Sequence, residues 1–402
     1  MSPKPLRVLI GCDTYLPDVN GAAHFAANLA AGLATRGHEV HIEAPAFNRK
    51  HGTVVEHYDG ADLIVHRLYS WRWYPHDWLR FVLPWRSQAH AARILDEVKP
   101  DVVHIQSHIV VGRGLARQAA KRGIRVIATN HFMPENMIDH SLLPKFLRRW
   151  AIRAAWKDAT STFELCEAVT TPTLKAAAFL EAEADITNVR AISCGIDATR
   201  YVPNFAARTE NRIIFVGRVT GEKHIDVLIR AVARLDADLN AHLDVVGGGG
   251  QIKELEHLAK SLGIASRVTF TGFVSDEELR DHLTAATVFA MPSIAELQSI
   301  ATMEAMASAL PIVAADAMAL PHLVHDGENG YLFAPDNVDE LAARLNDVLR
   351  MPEAELKGLK EASLRLVEGH DIERTLDTFE SLYRGEVLPA HSAQARLVDL
   401  AP

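Results

Sequence analysis

The sequence predicts an α/β protein built from two doubly wound, Rossmann-like domains. Short apolar runs typical of buried parallel strands alternate with helical segments along the whole chain. The pattern restarts after Pro203, and 402 residues are enough for two domains. We therefore expect an N-terminal domain over residues 1–203 and a C-terminal domain over residues 204–402, and we allow for terminal helices that cross back to the N-terminal domain.

The positions of the predicted strands indicate which loops should bind a ligand. In the first half, LRVLIG at 6–11 precedes a helical segment ended by Gly37, and DVVHIQS at 101–107 and IRVIATN at 124–130 repeat the strand pattern. In the second half the predicted strands are RIIFVGR at 212–218, HLDVVGG at 242–248, RVTFTGF at 267–273 and TVFAMP at 287–292. Because ligands of such sheets bind beyond the carboxyl ends of the strands, we expect the site residues in the loops that follow them.

Composition and charge narrow the function class. The formal net charge of -9 gives no overall attraction to nucleic acid or to an anionic membrane, so a membrane contact would need a local basic patch. Cys12, Cys166 and Cys194 are not in metal-ligand spacing, which favours a reducing compartment without disulfides. The first apolar run is too short for a signal peptide, and no stretch of about 18 apolar residues occurs. These observations predict a cytoplasmic protein.

Two glycine-containing loops are candidate ligand contacts. Asn20 and Gly21 open the first predicted helix, so backbone amides there can approach an anionic group or a sugar. This loop lacks the GxGxxG pattern, which argues against a dehydrogenase. The four glycines at 247–250 follow a strand, and the simplest interpretation is a tight turn beneath a ligand.

Glu296 and Glu304 lie eight positions apart in a stretch of small, apolar and hydroxyl residues. The pattern predicts a helix with Ser299 as its N-cap and Pro311 beyond its end, so Glu304 lies inside the helix and Glu296 just before it. Few polar neighbours surround Glu304, and a buried carboxylate needs donors such as ligand hydroxyls. The alternative is a solvated loop residue and a residue on the helix surface.

Two cations follow the first strand of the second half. Arg218 comes directly after that strand and Lys223 lies five residues further on, where the next helix begins. Two cations in this position can converge on a diphosphate. The alternative is that both form surface salt bridges.

Several ordered motifs resemble one known family. GR(x4)K at 217–223, GFV at 272–274, E(x7)E at 296–304 and GENGYLFAPDN at 327–337 resemble the retaining GT-B glycosyltransferases of family GT4. The AELQS, PDVNG and NHFMPEN segments are most similar to the branch that glycosylates diacylglycerol-type lipids. The resemblance implies two Rossmann-like domains that face each other across a cleft.

The resemblance also implies roles for single residues. Glu304 would hold the ribose hydroxyls, Glu296 would lie by the donor sugar, and Arg218 and Lys223 would contact the pyrophosphate. His131 would lie beside the donor sugar, although a lone histidine at a strand end is more often structural. Further donor-binding positions are Gly21, Phe273, Val274, Gln298, Ser299 and Ile300. The chain departs from the family where Gln298 and Ser299 replace the common Phe-Gly pair.

The chemistry of glycosyl transfer agrees with these residue types. Breaking a glycosyl–phosphate bond leaves a diphosphate with growing negative charge, which fixed cations stabilise. The expected leaving-group cations are Arg218 and Lys223. No DxD motif occurs in a suitable loop, so we expect a site that needs no metal ion.

The acceptor is indicated by aromatic and basic residues of the N-terminal half. Residues 67–88 hold four of the six tryptophans with four arginines, and residues 144–157 hold the other two with five cations. Tryptophan with lysine or arginine is typical of segments that lie in a bilayer interface. The alternative is aromatic packing beneath an arginine-lined rim around a soluble acceptor.

We therefore expect a retaining hexosyltransferase that uses a nucleotide sugar of the UDP-glucose or GDP-mannose type. Its acceptor would be a membrane lipid such as a diacylglycerol or a glycolipid, reached as a peripheral protein on the inner face of the cell membrane. It would need no cofactor and would not bind nucleic acid. The alternatives are transfer to a small soluble sugar or glycoside, and a nucleotide-sugar-binding protein without turnover.

Overall fold

The computed structural model describes residues 4–18, 20–47, 50–72, 80–134 and 145–386. These residues form two units. The first contains the described residues up to Ser193 and those from Arg374 onward, and the second is Cys194–Glu373. The sequence placed the domain boundary at residues 203 and 204.

The first unit is built on an eight-stranded sheet. Its strands, in chain order, are β1 (Arg7–Gly11), β2 (Glu39–Pro45), β3 (Gly52–Tyr58), β4 (Ala61–Leu68), β7 (Val102–Ile105), β8 (Arg125–Thr129), β9 (Ala168–Thr171) and β10 (Arg190–Ala191). Their order across the sheet is β10-β9-β8-β7-β1-β2-β4-β3, and every neighbouring pair is parallel except β3 and β4. Two short strands, β5 (Trp71–Arg72) and β6 (Arg80–Phe81), form a separate antiparallel pair.

The helices of the first unit follow the alternation that the sequence predicts. They are α1 (Gly21–Thr35), α2 (Pro84–Val98), α3 (Val111–Ala120), α4 (Lys145–Phe163), α5 (Leu174–Ala184) and, from Arg374 onward, most of the C-terminal helix Ile372–Arg384. As predicted, α1 begins at Gly21: the Asn20 side chain accepts a hydrogen bond from the Ala23 amide and so caps the helix. Among the described residues, no helix is both long and apolar enough to cross a membrane.

Helix α4 has a buried face and an exposed face. Trp156 is only 3% exposed and packs in the hydrophobic core with Ala159 and Phe163. The expectation that Trp156 belongs to an aromatic surface is therefore wrong: at helical spacing from Ala159 and Phe163, it lies on the face that packs against the domain. Trp150 of the same helix is 71% exposed.

The second unit is built on a six-stranded, entirely parallel sheet. Its strands are β11 (Arg212–Val216), β12 (His242–Val246), β13 (Val268–Gly272), β14 (Val288–Met291), β15 (Ile312–Ala315) and β16 (Gly330–Phe333), in the order β13-β12-β11-β14-β15-β16. The helices are α6 (Ile225–Val232), α7 (Ile252–Ser261), α8 (Asp276–Ala285), α9 (Ile300–Ala307), α10 (Leu320–Leu323), α11 (Val338–Arg350) and α12 (Glu353–Val367).

Each sheet has a point where the strand order reverses. In the first unit β1 lies between β2 and β7, and in the second β11 lies between β12 and β14. After β1 and after its neighbour β7 the chain continues toward opposite edges of the sheet, and the same holds after β11 and β14. The loops that follow these neighbouring strands therefore diverge. Such a reversal creates a crevice at the carboxyl edge, which is where ligands of doubly wound sheets bind.

In the second unit the loops at this edge approach so closely that only glycine fits. A Cβ atom on Gly247 would lie 2.0 Å from the Gly217 carbonyl oxygen, and one on Gly249 would lie 2.1 Å from the Val219 carbonyl oxygen. Because glycine has no Cβ atom, the two loops can hydrogen-bond: the Gly217 amide donates to the Val246 carbonyl at 3.0 Å, and the Val219 amide donates to the Gly248 carbonyl at 2.9 Å. The glycine run predicted as a turn therefore joins two neighbouring loops.

This close approach predicts a large effect of one added methyl group. Gly249→Ala should lower the thermal denaturation midpoint, since relieving such overlap typically costs about 1–3 kcal/mol. Gly250→Ala is the matched control, because an added Cβ there meets nothing within 4 Å. Thermal denaturation of both variants checks this, and equal midpoints for the two would contradict the close approach.

Candidate active site

The first cation-bearing loop lies at the reversal point of the second unit. Arg218 follows β11, and Gly221–Lys223 form a short 3-10 turn before α6. Arg218 donates to Glu222 Oε1 at 3.1 Å, and the Thr220 hydroxyl donates to the same oxygen at 2.8 Å. Burial alone would raise the pKa of Glu222, but Arg218 and Thr220 hold this pKa below its usual value. Glu222 is thus an anionic partner for Arg218.

The second candidate cation, Lys223, is paired with a residue of another loop. Its Nζ donates to Glu296 Oε1, across 73 positions of sequence. Glu296 is only 8% exposed and lies in the loop after β14, the neighbour of β11. Removing one partner of a buried ion pair leaves the other charge uncompensated. The pair therefore holds together the two loops that border the crevice.

The loop after Glu296 leads into helix α9 as predicted. Ser299 is the N-cap, and its hydroxyl accepts a hydrogen bond from the Thr302 amide. Ile300 is the first residue of the helix, where backbone N–H groups lack partners within the helix and the helix dipole is positive. This end of α9 can favour a negatively charged ligand group.

The side chain of Gln298 serves an internal contact. Its Oε1 accepts a hydrogen bond from the Cys194 amide at 2.7 Å, and its Nε2 lies 3.5 Å from His370 Nδ1. The Cys194 hydrogen bond ties the loop before α9 to a distant segment of the same unit. The sequence did not indicate this contact, because Cys194 lies 104 positions away.

Glu304 lies one turn further along α9 and meets an unexpected partner. Its Oε1 accepts a hydrogen bond from the Tyr201 hydroxyl at 3.0 Å. Burial, opposed by this hydrogen bond, raises the pKa of Glu304 to about 7. Both residues are partly exposed. The carboxylate thus lies in an environment where ligand hydroxyls would favour its charged form.

Phe273 and Val274 follow β13 and border the glycine loop. Phe273 is 66% exposed, and a Cβ on Gly248 would lie 2.4 Å from its ring, so the ring packs directly on this glycine. Val274 is partly buried. An exposed aromatic ring held against a glycine can stack on a planar ligand group.

His131 and Gly21 belong to the first unit. His131 Nε2 donates to Gln106 Oε1 at 3.0 Å, and its ring lies 4.9 Å from that of Phe25 in α1, the helix that Gly21 begins. Burial lowers the pKa of His131 to about 3, so its imidazole is neutral near pH 7. A neutral imidazole with its proton on Nε2 can accept a hydrogen bond at Nδ1.

The reversal point of the first unit is filled by the protein's own carboxylate. Asp13 follows β1 and accepts hydrogen bonds from the Val110 and Val111 amides at 3.0 and 2.8 Å, and from the Ser107 hydroxyl. The two amides lie at the start of α3. The Asp13 carboxylate therefore lies where an anionic ligand would otherwise bind the N-terminus of α3. The second unit therefore offers the better anion site.

Comparisons with known proteins found family models that match both halves of the chain. A model of "Glycosyltransferase Family 4" matches residues 19–200, and a model of "Glycosyl transferases group 1" matches residues 201–363. Two curated relatives come from mycobacteria. The MMP alpha-(1->4)-mannosyltransferase of Mycolicibacterium hassiacum is 31% identical over 281 residues, which are 68% of this chain and 68% of that protein. The GDP-mannose-dependent alpha-(1-6)-phosphatidylinositol monomannoside mannosyltransferase of Mycolicibacterium smegmatis is 30% identical over 59% of this chain and 64% of its own length.

The chain spans 36%, 59% and 49% of the lengths of three further curated relatives that it matches. Among solved structures, Anabaena Alr3699/HepE in complex with UDP and glucose superposes with a TM-score of 0.73 at 16% identity, over 94% of this chain and 100% of that chain. The predicted GT-B fold, with a Rossmann-like sheet in each unit, is thereby confirmed. Both halves of the chain match, and the chain belongs to the family 4, or group 1, glycosyltransferases.

Proposed function

We propose that this glycosyltransferase moves a hexose from a nucleotide diphosphate sugar to a membrane lipid, with retention of the anomeric configuration. One observation carries the donor half of the proposal. Three features lie at the reversal point of the second unit: Arg218, the Lys223–Glu296 pair and the start of α9. Glu304 follows on the same helix. Cations, free helix amides and a hydroxyl-accepting carboxylate are what a diphosphate joined to a ribose requires.

Each of these residues would contact a different part of the donor. Arg218 and Lys223 would contact the diphosphate and the start of α9 would add amide donors. Glu304 would accept the ribose hydroxyls, Phe273 and Val274 would border the base, and Glu296 and His131 would lie by the hexose. Donors of the UDP-glucose and GDP-mannose types both fit this chemistry, and related proteins are named for GDP-mannose or solved with UDP.

The reaction we propose proceeds on one face of the sugar. The bond between the anomeric carbon and the phosphate oxygen breaks while the acceptor oxygen bonds to the same carbon. The acceptor proton passes to the departing phosphate oxygen, and the nucleoside diphosphate leaves. Arg218 and Lys223 would stabilise the charge that grows on this leaving group, which helps the transition state more than the bound donor.

The lipid half of the proposal is supported by an exposed aromatic and basic face on α4. Phe146 is 80% exposed and Trp150 is 71% exposed, four positions apart, and Arg149, Arg153 and Lys157 are exposed at helical spacing beside them. We call these five residues the α4 face. Aromatic rings with flanking cations are typical of helices that lie in a bilayer interface.

A second aromatic group lies in the same unit. Arg80 lies 4.7 Å above the Phe47 ring, and Arg86 lies 5.8 Å from the rings of Tyr69 and Trp71. Phe47 and Trp71 are exposed. Trp73 and Trp78, which the sequence assigned to the same surface, lie outside the described residues. A peripheral contact with the membrane through this unit would place the lipid acceptor at the protein surface.

The pKa of Glu304 gives a first prediction. In the unfolded chain the carboxyl ionises near pH 4.5, whereas in the folded protein its pKa is about 7. Folding therefore loses stability as the pH rises from 4.5 through 7. Glu304→Gln should raise the thermal midpoint of the nucleotide-free protein at pH 8 and leave it nearly unchanged near pH 4.5.

The same variant should lose its response to nucleotide. UDP or GDP should raise the midpoint of the wild type more than that of Glu304→Gln, since an amide accepts hydroxyl protons less strongly than a carboxylate. Glu256→Gln, an exposed glutamate of α7, is the control and should behave as wild type. Equal nucleotide-induced shifts in wild type and Glu304→Gln would remove Glu304 from the nucleotide site.

The leaving-group cations give a second prediction. Arg218→Ala and Lys223→Met should each lower turnover about a hundredfold while donor binding stays measurable, because their charge acts mainly as the bond breaks. Nucleoside diphosphate release from UDP-glucose or GDP-mannose, in the presence of lipid vesicles, measures turnover. Arg234→Ala, which removes an exposed arginine of the same unit, is the control.

Lys223→Met also leaves Glu296 without its partner, so a second variant separates the two effects. Lys223→Met combined with Glu296→Gln removes both charges and should restore thermal stability but not turnover. Recovery of turnover in this double variant would show that Lys223 serves only to neutralise Glu296, and the diphosphate role would fail.

The α4 face gives a third prediction. Arg149→Ser with Arg153→Ser should weaken binding to anionic vesicles by about 2 kcal/mol, or about thirtyfold, at about 1 kcal/mol per basic residue. Lys253→Ser with Lys260→Ser removes the same charge from α7 of the second unit and is the matched control. Trp150→Ser should weaken binding at both low and physiological salt, because its contribution is apolar.

Vesicle co-sedimentation measures these effects. If the wild type remains in the supernatant with strongly anionic vesicles at low salt, the membrane contact is absent. Transfer to a small soluble acceptor would then replace the lipid proposal.

A further inference from the structure

Tyr201 reaches the candidate ribose carboxylate from a distant part of the chain. It follows the 3-10 turn Ala198–Arg200, and its hydroxyl lies 3.0 Å from Glu304 Oε1, across 103 positions of sequence. Both residues belong to the second unit. Both residues are partly exposed.

The direction of this hydrogen bond is determined by the surroundings. Burial and the nearby Glu304 carboxylate raise the pKa of Tyr201 well above its usual value, so the phenol keeps its proton. The hydroxyl therefore donates to Glu304, and its oxygen retains lone pairs that can accept a hydrogen bond. Tyr201 engages one carboxylate oxygen, Oε1, and the second oxygen, Oε2, takes no part in this hydrogen bond.

We propose that Tyr201 is a specificity-determining residue that makes the donor site select a ribose over a deoxyribose. In this arrangement one ribose hydroxyl donates to Glu304 Oε2 and the neighbouring hydroxyl donates to the Tyr201 oxygen. Two acceptors side by side match a vicinal diol, which carries two donors on adjacent carbons. The inference rests on the proposed function, because it takes Glu304 to be the residue that accepts the ribose hydroxyls.

A ligand that lacks one hydroxyl should be rejected for a physical reason. Closing the site around a deoxyribose leaves one acceptor without a donor, and an unsatisfied buried polar group costs free energy. Each lost hydrogen bond should weaken binding by about tenfold or more. A tyrosine that only packs against α9 would have no such effect on the choice between ribose and deoxyribose.

Tyr201 should also affect the pH at which nucleotide binds. The charged groups that act on Glu304 are Asp276 at the start of α8, which raises its pKa, and Arg200, which lowers it, and the Tyr201 hydrogen bond lowers it further. Ribose hydroxyls donate best to the ionised carboxylate, so affinity should rise with pH as Glu304 loses its proton. Without the phenol, the Glu304 pKa should be higher, and this rise should move to higher pH.

The variant that tests this is Tyr201→Phe, which removes one oxygen atom and keeps the ring. Titration calorimetry with UDP, 2′-deoxy-UDP and 3′-deoxy-UDP, and with the corresponding guanosine compounds, measures the ratio of ribose to deoxyribose affinity. Wild type should prefer the ribonucleotide about tenfold or more over each deoxy compound. Tyr201→Phe should bring the preference over one of them to near unity, and the preference over the compound that lacks the hydroxyl bound by Glu304 should remain. Tyr331→Phe, a partly exposed tyrosine of β16, is the control.

Coupling to Glu304 makes the result specific. In a Glu304→Gln background, Tyr201→Phe should have little further effect on the preference, because the two residues act as one acceptor pair. If wild type binds UDP or GDP but Tyr201→Phe keeps the full preference and the same pH dependence, the role of Tyr201 is overturned while the proposed function stands. If wild type binds neither UDP nor GDP, the proposed function fails and this inference fails with it.

Discussion

The candidate donor site depends on two loops whose backbones touch. At Gly247 and Gly249 a single methyl group would overlap the carbonyl oxygens of Gly217 and Val219, and the hydrogen bonds between these loops form only because that space is empty. The contact fixes the start of the loop that carries Arg218 and Lys223. The Lys223–Glu296 pair then joins this loop to the one after β14, so the cations and the start of α9 border one crevice.

Charge in this crevice is balanced before any ligand arrives. Arg218 is held by Glu222 and Lys223 by Glu296, so each proposed leaving-group cation already has an anionic partner. A diphosphate would share these cations with the two carboxylates instead of meeting isolated charges. Such pairing lowers the cost of keeping cations partly buried, and it orients them before the reaction. In the first unit, Asp13 takes the corresponding position at the start of α3, which leaves an anion less room there.

The sequence predicted those features that depend on local pattern. Strand and helix alternation predicted both sheets, and Ser299 as N-cap placed Glu304 inside a helix. Contacts between distant segments could not be predicted, because no local pattern determines them: the Lys223–Glu296 pair, the Tyr201–Glu304 hydrogen bond and the use of the Gln298 side chain by Cys194 are examples. Trp156 was misplaced because composition does not determine which face of a helix is buried.

Amide hydrogen exchange with and without bound nucleotide tests the central claim most directly. That claim is that the glycine-joined edge of the second unit binds a nucleoside diphosphate. UDP or GDP should slow exchange in residues 217–223 and 296–304. Exchange should stay unchanged around the cavity of 620 Å³ at the opposite edge of the same sheet, which Asn204, Arg212 and Thr287 help to line. Protection confined to that cavity, with no change in residues 217–223 and 296–304, would contradict the account.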